Sequence, residues 1–216
     1  MKIAFIGGTG NLGYGLALRC AAAGETVLIG SRSVEKAQEA ADRLNAELGA
    51  IAQPVAGMEN GAAAADAELV VISLPFAAHE GTLPAIAAAC EGKVVLDTTV
   101  PMQYGKPPVY IVPESGSAAE GVQKMLPGAK VVSGLQTVSA ASLAEKDRAL
   151  ACDALICGDD DEAKQLVIEV FSRFIPRIFD AGALSQAQAL ERLTPLFIAL
   201  NQKYKRKHIG LQLSNI

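Results

Sequence analysis

The sequence predicts an α/β protein: a Rossmann-type, doubly wound, mostly parallel sheet with a small C-terminal lobe rich in helix. Three observations predict it. Short apolar runs alternate with helical patterns from the first residues onward, the order that builds parallel sheets. A Gly-x-Gly-x-x-Gly run, Gly8-Thr9-Gly10-Asn11-Leu12-Gly13, stands between the first apolar run and the first helical pattern. From about residue 136 the regular alternation gives way to a helix-dominated stretch.

Residues 3–6 are apolar and end at Gly7-Gly8, the mark of a strand buried on both faces. Residues 12–23, rich in alanine and leucine, read as a helix, 27–30 as a second buried strand, and 34–48 as a helix with charges on one face. Residues 68–74 form a strand that Pro75 stops, followed by a helix over 77–90 and a strand over 93–96. Residues 98–117 read as a loop because they carry Pro101, Pro107, Pro108 and Pro113. A helix over 118–126 and a strand over 130–133 complete the first domain, 1–135.

The second part, 136–216, opens with a strand over 151–157. Asp159-Asp160-Asp161-Glu162 then starts a helix whose apolar positions include Ala163, Leu166, Val167, Val170 and Phe171; Asp159 with Glu162 fits a capping box. A short strand over 177–179 precedes the last helical stretch, which carries Leu190, Leu193, Phe197 and Leu200. Pro195 either kinks that helix or restarts it with Thr194 as cap.

Composition bounds the function. A chain of 216 residues with 50% hydrophobic and 19% charged side chains buries a core without disulfide or metal staples, and disorder is excluded. Nineteen basic against 23 acidic side chains leave a net charge of −4, which argues against a nucleic-acid binder. No apolar run reaches the roughly 18 residues of a membrane helix, and the first is too short for a signal-peptide core. The expectation is a cytoplasmic protein with no membrane or nucleic-acid partner. Cys20, Cys90, Cys152 and Cys157 form no Cys-x-x-Cys pair and read as buried thiols; no metal site is expected.

The glycine motif carries chemistry. Gly8 permits a tight turn, Gly10 lets backbone approach a pyrophosphate, and Gly13 lets the helix sit close on the strand. The N–H groups at the helix start, at Asn11 and Leu12, face that anion, aided by the helix dipole. NAD sites usually place a carboxylate at the end of the second strand to hold the ribose. Here that strand ends Gly30-Ser31-Arg32. Arg32 offers a planar fork to a 2′-phosphate, Ser31 and Thr9 add hydroxyls, and Lys36 lies one helical turn beyond. Two cations at the positive end of a helix dipole make sense opposite an anion, so NADP is favoured over NAD. Leu74 and Pro75 close another strand and offer an apolar shelf to the nicotinamide half; Thr98-Thr99-Val100-Pro101 repeats that layout. His79 and His208 read as structural or solvated, and Asp97, Asp153 and Asp180 as structural carboxylates. No catalytic side chain is expected. Hydride transfer between two cofactor rings needs placement and exclusion of water, not a protein acid or base.

These motifs, together with Cys157-Gly158-Asp159-Asp160-Asp161-Glu162, Asp180-Ala181-Gly182 with Leu184-Ser185, and Leu193-Thr194-Pro195-Leu196, resemble the NADP-dependent coenzyme F420 reductases over nearly the whole chain. The resemblance implies direct hydride exchange between NADPH and the deazaflavin coenzyme F420 in a homodimer. It implies Thr9, Ser31, Arg32 and Lys36 at the 2′-phosphate, and Leu74, Ala78, Val100 and Ala140 along the nicotinamide half. The deazaflavin would stack on the nicotinamide in a cleft that 136–216 completes, touched by Ile209. The sequence departs from the family pattern at Gln136, where a histidine is expected, and at Ser139, where a proline is. The segment from Lys203 to His208 is unusually basic, either as a helix end whose cations suit the dipole or as an attractor for the deazaflavin's phosphate and glutamates. Two alternatives stay open: the same fold with another acceptor (a flavin, a ferric chelate or a small carbonyl compound, with Lys203 as proton donor), and an NADP-binding module without catalysis.

Overall fold

The computed structural model describes residues 1–50 and 53–216. Its chain alternates β1 (Lys2–Ile6), α1 (Asn11–Ala22), β2 (Thr26–Ser31), α2 (Val34–Leu48), β3 (Ala56–Glu59), α3 (Asn60–Asp66), β4 (Leu69–Ile72), α4 (His79–Ile86) and β5 (Val94–Asp97). A two-stranded hairpin, β6 (Met102–Gln103) and β7 (Val109–Tyr110), comes next. It is followed by α5 (Ala118–Met125), β8 (Lys130–Gly134), α6 (Ala140–Ala144), β9 (Asp153–Gly158), α7 (Asp161–Phe171), β10 (Arg177–Asp180) and α8 (Ala187–Tyr204). The apolar runs read as buried strands are buried: every residue of β4, and all of β1 after Lys2, lies in the interior.

One eight-stranded sheet runs in the order β10-β9-β8-β5-β4-β1-β2-β3. Its neighbours are parallel except β8 and β9, which pair antiparallel. The stretch 136–216 therefore extends the sheet with two reversed strands and also supplies α8. Two cores flank the sheet, one around Phe5, Leu16, Ile29 and Phe171, the other around Ile6, Ile72, Leu83 and Val122. Helices cover both faces, as a doubly wound fold requires. The order reverses between β1 and β4, so the loops after β1 and β4 leave the sheet on opposite sides and open a crevice between them.

Several local readings change. The edge strand β3 has no apolar run to announce it, and in helix α3 the only apolar run is the four alanines Ala62–Ala65. Gly57 in β3 is where the strand meets α2, since a Cβ there would overlap the Ala37 backbone. The proline-rich 98–117 segment holds the small β6–β7 hairpin. Asp160, not Asp159, caps α7 by accepting from Ala163 N at 2.8 Å; Asp159 instead accepts from Leu184 N at 2.9 Å and ties down the entry to α8. Pro195 neither ends nor restarts a helix but lies inside α8.

Helices α1 and α6 are locked together. A Cβ on Gly15 would lie 2.7 Å from Leu143 Cβ, so only glycine allows this approach. One turn further on, buried Arg19 donates to the carbonyls of Ser142, Leu143, Glu145 and Arg148 at 2.6–3.0 Å. These are carbonyls that the short α6 and the loop after it leave without helical partners.

Candidate functional site

The loop after β1 is built for an anion. Gly7 takes φ +82°, with its Cα against the Ser73 carbonyl, so the left-handed residue is Gly7 and not Gly8. Turn bonds from Gly8 N to Phe5 O and from Gly10 N to Gly7 O, both 3.1 Å, close the loop. Gly8 lies on the core, where a Cβ would sit 2.9 Å from Phe5 Cβ, and Gly13 lies 3.0 Å from Ser73 by the same measure, as close helix–strand packing demands. Gly10 is different. An added Cβ would meet nothing nearer than the Gly7 carbonyl at 3.6 Å, so the protein's own packing does not require glycine there. No side chain caps α1, and Gly10, Asn11 and Leu12 at its start line the cleft. A pyrophosphate fits that space.

At the end of β2, Ser33 caps α2 by accepting from Lys36 N at 3.3 Å, and Ser31 Oγ accepts from Ser33 N at 3.3 Å. The β1–β2 register aligns Ile6 with Gly30, which sets Ser31 and Arg32 beside the glycine loop. Thr9, Arg32 and Lys36 are exposed. Among the described residues neither cation has an ion-pair partner, although Lys130, Lys164, Arg173 and Arg177 each pair.

A cleft of about 580 Å³ opens at the switch point. Of the residues expected from sequence, Gly10, Asn11, Leu12, Leu74, Pro75, Val100, Ala140 and Ile209 line it. Gly8, Thr9, Ser31, Arg32 and Lys36 lie outside that lining, in the loops after β1 and β2 and the start of α2, and Ala78 sits in the 3-10 turn behind Pro75. The floor is stiff. Thr98 Oγ1 donates to Ile72 O at 2.9 Å, and Thr99 N donates to Asp97 Oδ1 at 3.1 Å. Beneath the floor, His79 Nε2 meets Thr99 Oγ1 at 2.9 Å. Burial holds the His79 pKa down and pushes the Asp97 carboxyl up, so the imidazole is neutral and structural. On the other wall, buried Gln136 Oε1 and Thr137 Oγ1 have no hydrogen-bond partner. Both residues line the cleft, and a buried polar atom without a partner is costly unless a ligand supplies one.

The sequence marked Phe197 only as an apolar helix position and passed over Ile198 and Asn201; all three belong to α8 and line the cleft. The segment after α8 folds back over the cleft mouth. Ser139 Oγ donates to Lys207 O at 2.7 Å, His208 Nδ1 meets Ser142 Oγ at 2.9 Å, and Ile209 N donates to Asn201 Oδ1 at 3.2 Å. Further on, Leu213 N donates to Asp153 Oδ2 at 2.6 Å. Behind the wall, buried Glu191 accepts from Tyr110 Oη at 2.7 Å and from Ala118 N and Ala119 N at 3.2 and 3.3 Å; burial raises its pKa to about 7. The four cysteines are buried and unbonded, and no metal-holding cluster occurs among the described residues.

Comparison with known proteins agrees with this geometry. A family model described as "NADP oxidoreductase coenzyme F420-dependent" matches residues 2–101. The F420-dependent NADP reductase of Methanocaldococcus jannaschii is 40% identical over 100% of this chain and 99% of its own length. The chain belongs to the F420-dependent NADP reductase family. The reductase of that name from Methanothermobacter marburgensis is 38% identical over 100% of this chain and 99% of its own. The crystal structure of a putative F420-dependent NADP-reductase from Arthrobacter sp. FB24 superposes with a TM-score of 0.84 at 28% identity, covering 100% of both chains. The family match 2–101 spans the glycine loop, the β2 end with Arg32 and the floor up to Val100; the α8 wall lies beyond it and is reached by the full-length alignments.

Proposed function

We propose that the protein transfers a hydride directly between NADPH and the deazaflavin coenzyme F420. One observation carries the reading: the cleft at the switch point pairs an anion-binding glycine loop with walls that hold no carboxylate, histidine or cysteine. In this chemistry NADPH supplies the hydride from its nicotinamide ring and the deazaflavin ring accepts it. The protein's contribution is placement. The first turn of α1 and Gly10 take the pyrophosphate; Thr9, Ser31, Arg32 and Lys36 take the 2′-phosphate. Leu74, Pro75, Val100 and Ala140 bound the nicotinamide half, and Gln136 and Thr137 offer their unpaired polar atoms to ring substituents. Phe197, Ile198 and Ile209 keep water from the face where the two rings meet. Gln136, which stands where the family resemblance expects histidine, still lines this cleft and keeps a polar atom available.

A carbonyl acceptor would need a proton donor at the ring, and the candidate from sequence is not placed for it. Lys203, the residue available from sequence for that role, is exposed on the last turn of α8 and does not line the cleft. The reading takes 1–135 as the NADP-binding domain and 136–216 as the part that completes the second-substrate cleft, with a homodimer in the cytoplasm as the working unit. No helix among the described residues is long and apolar enough to cross a membrane. Purified protein mixed with NADPH and oxidised deazaflavin should bleach the deazaflavin's visible absorbance, whereas NADH in place of NADPH, or FMN in place of deazaflavin, should not. Tight NADPH binding without bleaching would remove F420 as the acceptor and leave the nucleotide site standing.

A further inference from the structure

We propose that Lys203, Lys205, Arg206 and Lys207 form a docking subsite for an anionic tail on the second substrate. The enzyme then selects a deazaflavin by its phosphate and carboxylate groups as well as by its ring. The identity of that substrate rests on the hydride-transfer reading above.

Placement comes first. Lys207 lines the cleft together with Asn201 and Ile209, so the cation run continues out of the cleft wall. Among the described residues it is the one charged side chain in that lining. The backbone that presents the run is fixed at both ends. Arg206 N donates to Asn201 O at 2.9 Å, and Ser139 Oγ donates to Lys207 O at 2.7 Å. Lys205 takes the left-handed conformation at φ 51°, which ends α8 and turns the chain across the mouth.

Charge is the second observation. These are four cations within five positions of a chain whose net charge is −4. Among the described residues none of the four has an ion-pair partner, whereas the next residue, His208, lies 3.5 Å from Glu145. A helix C-terminus accounts for two of them, Lys203 in the last turn of α8 and Lys205 at its C-cap, but Arg206 and Lys207 lie beyond it. Unpaired like charges this close repel, and an anion seated among them relieves the repulsion.

The third observation separates this pole from the nucleotide's. Arg32 and Lys36 follow β2, whereas the basic run is tied to Ser139, just after β8, and β8 and β2 are separated in the sheet by β5, β4 and β1. Two cationic poles so separated serve two anionic ligands. The 2′-phosphate takes the first, and a tail projecting from the cleft mouth takes the second.

The test compares F420 with the same deazaflavin truncated at its ribityl chain, which keeps the ring and lacks phosphate and glutamates. Wild-type enzyme and a Lys203→Gln/Lys205→Gln/Arg206→Gln variant are assayed for KM at low and high salt, with NADPH saturating. The expected result is a KM for F420 raised roughly tenfold in the variant at low salt, three modest exposed charge contacts together. The KM for the truncated form should move less than about twofold, and the salt dependence of the F420 KM should shrink. Equal shifts for both acceptors, or no shift for F420, overturn the subsite while leaving the reaction intact. A wild-type enzyme that bleaches neither deazaflavin refutes the acceptor itself, a different failure that the truncated substrate makes visible.

Discussion

Replacing Arg32 with alanine separates the two nucleotides cleanly. The guanidinium is exposed, and among the described residues it makes neither an ion pair nor a hydrogen bond, so its removal orphans no buried group. The melting temperature should stay within about 2 °C of wild type, as for an ordinary surface change. A hydrogen bond to a charged group contributes about 1.5–3 kcal/mol, and an arginine fork makes two to one phosphate. Solvent screening at this exposed site reduces the sum to about 2 kcal/mol, or roughly 30-fold in kcat/KM for NADPH. NADH has no 2′-phosphate, so its kcat/KM should move less than about twofold. The assay is steady-state reduction of the deazaflavin with each nucleotide in turn, repeated at high salt, where the NADPH penalty should shrink. Equal losses for NADPH and NADH would refute the reasoning, because they would place Arg32 against a part that both nucleotides share.

Gly10→Ala should melt like wild type, since its Cβ finds 3.6 Å of clearance, yet weaken NADPH binding at least tenfold by calorimetry; Gly8→Ala, 2.9 Å from Phe5, should instead lose about 1–3 kcal/mol of stability. Arg19→Met strips the donor from four carbonyls around α6 and should cost about 3 kcal/mol in denaturant unfolding; a cost below about 1 kcal/mol would mean that water replaces the guanidinium. Glu191 has a folded pKa of about 7 against an ordinary 4.5, so the folded state binds a proton that the unfolded state has released. Stability should therefore fall as pH rises from about 4.5 to about 7, by up to about 3 kcal/mol, and then level off. Glu191→Gln should flatten that slope, and unfolding at about pH 5 and pH 8 reads the difference.

The glycine loop after β1 and the basic start of α2 were legible as features because glycine and charge patterns report backbone demands directly. Gly10 and Arg32 serve no purpose in the protein's own packing, so their identities point outward to a ligand. The tight turn assigned to Gly8 falls to Gly7 because a pattern of adjacent glycines does not show which one takes positive φ. The edge strand β3 escaped notice for the opposite reason: an edge exposed on one side needs no apolar run, and Gly57 reports only how near α2 comes. The α8 wall was hidden by periodicity. Leu190, Phe197 and Leu200 recur at helical spacing whether a helix seals a core or lines a cleft, and here α8 does both, with Leu190 buried and Phe197 half-buried. Asp160 took the cap that spacing assigned to Asp159, since three consecutive aspartates leave the register of a cap open. The return of the chain over the cleft rests on single hydrogen bonds with Ser139, Ser142 and Asn201, which leave no trace in any local pattern.

Helix α1 has a consequence for which ligands the protein accepts. Its first residues, Asn11 and Leu12, line the cleft, while Gly15 and Arg19 clamp the very helix, α6, whose Ala140 lines the same cleft. Two walls of the cleft thus belong to one stiff body, and their spacing is set by how closely α1 and α6 pack. The enzyme carries a built-in gauge. A ligand that reaches from the glycine loop to Ala140 meets two walls whose spacing is fixed by one helix pairing rather than by a loop.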